Sequence, residues 1–123
     1  MKDIENRGDL ELLMATFYGR LLADPAINYI FTDVAKIDLP FHLPQITDFW
    51  EQVLFHSGGY KANVMQLHVD LNNKEKLTNT HFEVWLRHFF TTTDALFSGN
   101  NSEKIKTRAQ SVATVMKIKI YPM

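Results

Sequence analysis

Between Asp9 and Leu22 the apolar positions are Leu10, Leu13, Met14, Phe17, Tyr18, Leu21 and Leu22. Spacings of three and four put them on one stripe of a helix, with Asp9 as its N-cap. Asp24-Pro25 then ends the helix and starts a short new one, which closes on Tyr29, Ile30 and Phe31. A second long helix is predicted from Leu39 to Leu54, with His42, Ile46, Phe49, Trp50, Val53 and Leu54 on its stripe. Pro40 suits a first turn, whereas Pro44 removes an interior donor and predicts an irregular start or a kink near His42. Ser57-Gly58-Gly59 is a break. After it, Asn63 to Leu71 forms a short apolar segment that Asn72-Asn73 closes. A third helix is predicted from Asn79 to Phe97, carrying Phe82, Trp85, Leu86, Phe89, Phe90, Leu96 and Phe97. The last runs from Ser102 to Lys119, with Ile105, Ala109, Val112, Ala113 and Met116 inward. No segment alternates as a strand would, so the fold class is all-α.

A length of 123 residues points to one domain, residues 1–123. The absence of cysteine excludes disulfides, iron–sulfur clusters and thiolate-held metals. Met1 to Gly8 is polar, unlike a secretory leader, and no apolar run reaches membrane-spanning length. A soluble cytoplasmic protein without membrane contact is therefore expected. The formal net charge is −1. The one concentration of cations, Lys104, Lys106, Arg108, Lys117 and Lys119, reads as a solvated helix face, and nucleic acid is not an expected partner.

Three polar-tipped residues lie within apolar stripes: Tyr18, His42 and Trp85. His68 lies on the short apolar segment. Each alone is explained by core packing. Together they offer imidazoles on two segments, apolar walls and two hydrogen-bond donors, the components of a haem pocket. Periodicity alone does not assemble them. Other metal chemistry fits worse. No Glu has a His three residues later, and no two His stand four apart. His56, His81 and His88 are expected at the surface or at a stripe edge. Glu51 and Glu83 read as ordinary surface carboxylates. Neither a phosphate loop nor a nucleophile elbow is present.

The order of these residues resembles group III truncated haemoglobins over nearly the whole chain. Phe17-Tyr18 looks like that family's distal tyrosine, and Ile30-Phe31 like the phenylalanine that packs on the haem. His42 with Ile46 and Phe49-Trp50-Glu51 looks like its distal helix. Gly59-Tyr60-Lys61 followed by Leu67-His68-Val69-Asp70-Leu71 looks like its proximal segment. Phe82-Glu83-Val84-Trp85 looks like the helix carrying the distal tryptophan, and Arg108-Ala109-Gln110 with Val115-Met116 like its last helix. The single glycine pair, Gly58-Gly59, agrees with the third subgroup.

The resemblance implies a two-over-two helical sandwich around haem b, with His68 as the iron's proximal ligand. It implies Tyr18 and Trp85 as distal donors. The haem walls would be Phe31, Ile46, Phe49, Trp50, Met65, Leu67, Leu71 and Phe82. His42 could ligate the iron, hydrogen-bond a gas or swing as a gate, and the gate is the favoured role. Gln66 and Leu67 stand where some relatives carry a base for a haem propionate, which leaves Lys61 or Arg87 as the cation. The expected partners are diatomic gases, dioxygen or nitric oxide. Two donors over the gas argue for tight retention rather than delivery. Nitric oxide or peroxide turnover would draw on an external reductase, and a monomer is expected. The competing reading is a cofactor-free helical interaction module in which Tyr18 and His68 are plain core residues.

Overall fold

The first helix begins three residues ahead of the expected cap. Asn6, not Asp9, is the N-cap of α1 (Arg7–Ala23), and its side chain accepts the Asp9 N–H at 3.0 Å. Asp9 instead accepts from Lys2 Nζ at 2.6 Å and from the Glu5 N–H at 2.8 Å. Both residue types cap well, and the contacts with Lys2 and Glu5 decide which one does. In this computed structural model, which describes residues 1–34, 38–56 and 77–120, a π-helical turn (Ile30–Val34) follows α1. Then come α2 (Leu39–Phe55), α3 (Asn79–Leu96) and α4 (Asn100–Ile120). The described residues contain no strand.

Asp24 works as predicted at the corner. Its side chain accepts the Ala26 N–H at 2.9 Å and its carbonyl accepts from Ile27 and Asn28. The short element runs on past Phe31 to Val34. Helix α2 continues through Pro44. That proline deprives the Pro40 carbonyl of its donor, but both prolines are exposed, so water can serve it. The helix ends at Phe55, one residue past its expected end, with His56 left-handed at φ 56° and its N–H on the Gln52 carbonyl at 2.9 Å. Helix α3 starts on a capping box. The Thr78 hydroxyl accepts the His81 N–H, and His81 Nδ1 accepts the Thr78 N–H at 3.1 Å.

Helix α1 packs on α2 and α3, and α4 packs on α3 and α2. Two helix pairs thus lie one over the other around one core. Leu10, Leu13, Met14, Phe17 and Leu21 of α1 are sealed there, with Phe89 of α3 and Ile105 and Ala109 of α4. Burial of each large side chain contributes roughly 1.5–3 kcal/mol. Arg7 fastens the α1–α2 crossing by donating to Asp48 at 2.6 Å and to Glu51 at 3.0 Å, so Glu51 is not a plain surface acid.

The N-terminal strand of chain crosses the start of α4. Asp3 accepts from the Asn101 N–H, the Ser102 N–H and the Ser102 hydroxyl, each at 2.8 Å. It supplies from a distance the acidic cap that the helix lacks locally. Gly99, at φ 141°, lets the two segments close, because a Cβ there would lie 2.6 Å from Asp3 Cγ.

Candidate functional site

Helices α1, α2, α3 and α4 leave a cavity between them with about 810 Å³ of empty space, its open mouth included. Its walls are overwhelmingly apolar, with Phe17 and Tyr18 from α1, Ile30 and Phe31 from the corner, and Ile46, Phe49 and Trp50 from α2. Phe82 and Trp85 come from α3, and Val112, Ala113 and Met116 from α4. Phe31, Ile46, Phe49, Trp85 and Val112 belong to apolar stripes yet stay only partly buried. They face space that the chain's described residues do not fill.

Aromatic packing sets the positions of the polar tips. Phe17 lies edge-on to Tyr18 at 5.4 Å, to Trp85 at 5.7 Å and to Phe89 at 5.1 Å between centroids. This holds the α1 and α3 stripes against each other at the geometry that aromatic quadrupoles favour. Tyr18 is buried, and its hydroxyl shares a hydrogen bond with His42 Nε2 at 3.3 Å. Burial pushes the phenol far above its ordinary value of 10, so it stays a neutral donor over any ordinary pH range. Trp85 lines the same cavity, and its indole N–H meets no acceptor among the described residues.

The described site residues expected from the sequence fall in two places. Tyr18, Phe31, Ile46, Phe49, Trp50, Phe82 and Trp85 line the cavity. His42 does not line it but reaches Tyr18, half-buried at the start of α2. His68, Met65, Leu67 and Leu71 lie outside the described residues, as do Lys61 and the glycine pair.

His81 is half-buried at the edge of its stripe. It lines the cavity, and its Nε2 meets the Tyr29 hydroxyl at 2.7 Å. With Nδ1 accepting from Thr78, the neutral ring carries its hydrogen on Nε2 and donates it to Tyr29. Both ring nitrogens are thus engaged, which leaves neither for a metal. Arg87 is not among the cavity walls and stands 3.6 Å from Asp24, beside His88, whose Nε2 lies 2.7 Å from the same carboxylate.

Sequence reasoning also missed Ile27 and Leu77 as cavity walls. Neither belongs to a long periodic stripe, so no local signal marked them. Among the described residues no three His, Asp or Glu side chains gather as a metal site, and no helix there is long and apolar enough to cross a membrane.

No family model matches the chain. It is 24% identical over 119 residues to the Group 3 truncated hemoglobin ctb of Campylobacter jejuni, an alignment covering 94% of this chain and 91% of that protein. The crystal structure of the group III truncated hemoglobin from Campylobacter jejuni matches with a TM-score of 0.88 at 24% identity. The match covers 99% of this chain and 97% of that one. The 2/2 hemoglobin from Synechococcus sp., solved in the cyanomet state with covalently attached heme, matches with a TM-score of 0.81 at 22% identity. It covers 96% of this chain and 94% of that one. The resemblance read from the sequence is borne out, and the chain has the two-over-two globin fold.

Proposed function

We propose that this two-over-two globin is a group III truncated haemoglobin that holds haem b in the described cavity and takes diatomic gases there. The observation that carries the reading is the partly exposed apolar stripe. Phe31, Ile46, Phe49, Trp85 and Val112 turn side chains of core character toward open space. A flat apolar ligand would cover them, and burying that surface is the main source of affinity in such pockets. The names of the similar proteins, the group III truncated hemoglobin of Campylobacter jejuni and a 2/2 hemoglobin with attached heme, point the same way.

A bound haem supplies an iron that reversibly takes up a diatomic gas. The chain's part is to hold and surround it. His68 would hold the iron, in keeping with His81, whose two ring nitrogens are already spent. Phe31, Ile46, Phe49, Trp50 and Phe82 form the described walls, and Met65, Leu67 and Leu71 complete them. Tyr18 and Trp85 would donate to the gas. If His42 carries its hydrogen on Nε2, it donates to the Tyr18 oxygen and leaves the phenolic hydrogen for the gas. The gate is the role favoured for His42, which is half-buried between the exposed Pro40 and Pro44 and hydrogen-bonded to Tyr18.

The test is the absorption spectrum of the full chain purified with haem available. A Soret band and a one-to-one haem content are expected, and His68→Ala should lose the haem or change its ligation spectrum. A colourless protein, or a His68→Ala protein with an unchanged spectrum, would refute the reading or the ligand assignment respectively.

A further inference from the structure

Haem has one charged edge, where its two carboxylates lie. Resting on the proposed haem reading, the question is which cation of this chain meets that edge. The described cations sort clearly. Lys2 pairs with Asp9, Arg7 with Asp48 and Glu51, Arg87 with Asp24, and Lys106 with Asp94 and Glu103. Arg20, Lys104, Arg108 and Lys117 have no such partner among the described residues, and Lys117 is the one of these four with a cation–π contact to a cavity wall. Its Nζ stands 5.9 Å from the ring centroid of Phe82. Phe82 is a buried wall of the cavity, and Met116, the residue beside Lys117 in α4, is another.

Lys117 is half-buried, unlike the solvated lysine that the charge pattern suggested. The cation–π contact holds its ammonium near the wall without neutralising it. The four-carbon stem of a lysine is flexible enough to bring the ammonium to a nearby anion. The end of the cavity that Phe82 lines is also where α3 begins. The N-terminal dipole of that 18-residue helix adds positive potential. The acid nearest in sequence, Glu83, is exposed and already accepts from the Asn79 side chain at 2.8 Å.

We propose that Lys117 is the cation that receives a carboxylate of the haem, which places the charged edge of the ring at the Phe82–Lys117 end of the cavity. The lysine would then set the orientation of the ring and slow its loss.

The experiment measures haem release from the loaded full chain into excess haem-scavenging apoprotein, for wild type, Lys117→Met and Lys117→Arg. It is run with haem and with haem dimethyl ester, whose carboxylates are masked. Methionine keeps the stem's packing and removes the charge. Lys117→Met should release haem about three- to tenfold faster, in the range of a partly exposed ion pair, and the difference should shrink as salt rises. Lys117→Arg should behave as wild type, and the dimethyl ester should leave wild type and Lys117→Met at equal rates. Equal haem release from wild type and Lys117→Met would overturn the assignment. So would equal acceleration for haem and its diester, which would mark Lys117 as packing only. A wild-type chain that takes up neither compound would instead overturn the haem reading itself. Unfolding of the haem-free Lys117→Met protein at the wild-type midpoint shows that the variant folds.

Discussion

Replacing Gly99 by alanine tests whether the N-terminal strand of chain is held as described. Two separate costs are expected. At φ 141° the backbone is in a region that L side chains rarely adopt, and holding a non-glycine residue in such a region costs of order 1–3 kcal/mol. The new Cβ would also lie 2.6 Å from Asp3 Cγ and 2.7 Å from Asp3 Cβ. Those atoms belong to the residue that caps α4, so the carboxylate must retreat. Loss of a helix N-cap costs about 0.5–2 kcal/mol. Together Gly99→Ala should destabilise the chain by about 1.5–5 kcal/mol, a large share of the roughly 5–15 kcal/mol that holds a typical domain folded. Urea unfolding monitored by helical circular dichroism reads this directly. The slope should be unchanged and the midpoint lowered. The two costs separate in an Asp3→Gly background, where the cap and the clashing atoms are already gone. There Gly99→Ala should cost only the backbone term, so the double mutant should be less destabilised than the sum of the singles. A Gly99→Ala protein within about 0.5 kcal/mol of wild type, the spread of an ordinary surface substitution, would refute the reasoning.

Tyr18→Phe or Trp85→Phe should speed dioxygen release from the haem-loaded chain about ten- to a hundredfold, since a hydrogen bond to a partly charged acceptor contributes roughly 1.5–3 kcal/mol. Carbon monoxide release should change far less, and equal effects on both gases in flash photolysis and stopped flow would return the two residues to the core. The hydrogen bond to His88, aided by the Ala26 N–H, holds Asp24 below its ordinary value of 3.8. A depressed carboxylate stabilises the fold above that value and ceases to do so as pH falls through its folded pKa. His88→Ala should therefore flatten the decline in stability below about pH 4, and an unaltered acid limb in a pH series of urea melts would exclude this role. Arg7→Met should cost about 1 kcal/mol at low salt and less at high salt; a salt-independent loss would mean that the stem, not the charge, holds α2. His56→Gly should stabilise by about 1 kcal/mol, since glycine carries no Cβ penalty in the left-handed position, and a lowered melting temperature would show that the His56 side chain itself is needed.

Legibility in the sequence followed the range of the interactions. The α1 stripe is read from spacing alone, because Leu10, Leu13, Met14, Phe17 and Leu21 meet the core through one helix face. Tyr18 and Trp85 stood out for the same reason, as polar tips within such a face. His81 did not, since its role depends on Tyr29, which is 52 residues away. Arg7 likewise looks like any exposed cation until Asp48 and Glu51, 41 and 44 positions on, are brought beside it. Asn6 and Asp9 are both good caps, and Lys2 tips the choice by occupying Asp9. Helix α2 runs on through Pro44, whose lost bond falls in an exposed first turn open to water. The tendency of Ile46 and Phe49 to be half-covered cannot be read from a pattern that records only which face is apolar.

The strap made by Asp3 has a consequence for the order of events as the chain is synthesised. Its acceptor atoms meet donors 98 and 99 positions later, whereas Arg7 meets α2 after 41 to 44. During translation the crossing of α1 and α2 can therefore form while α3 and α4 are still unmade. The strap must wait until Ser102 has left the ribosome. Closing so long a loop costs entropy that only the finished helix pairs offset. Until then the cavity lacks the α3 and α4 walls. The nascent globin thus has no complete pocket to offer a haem, and the strap closes at about the stage when that pocket first exists.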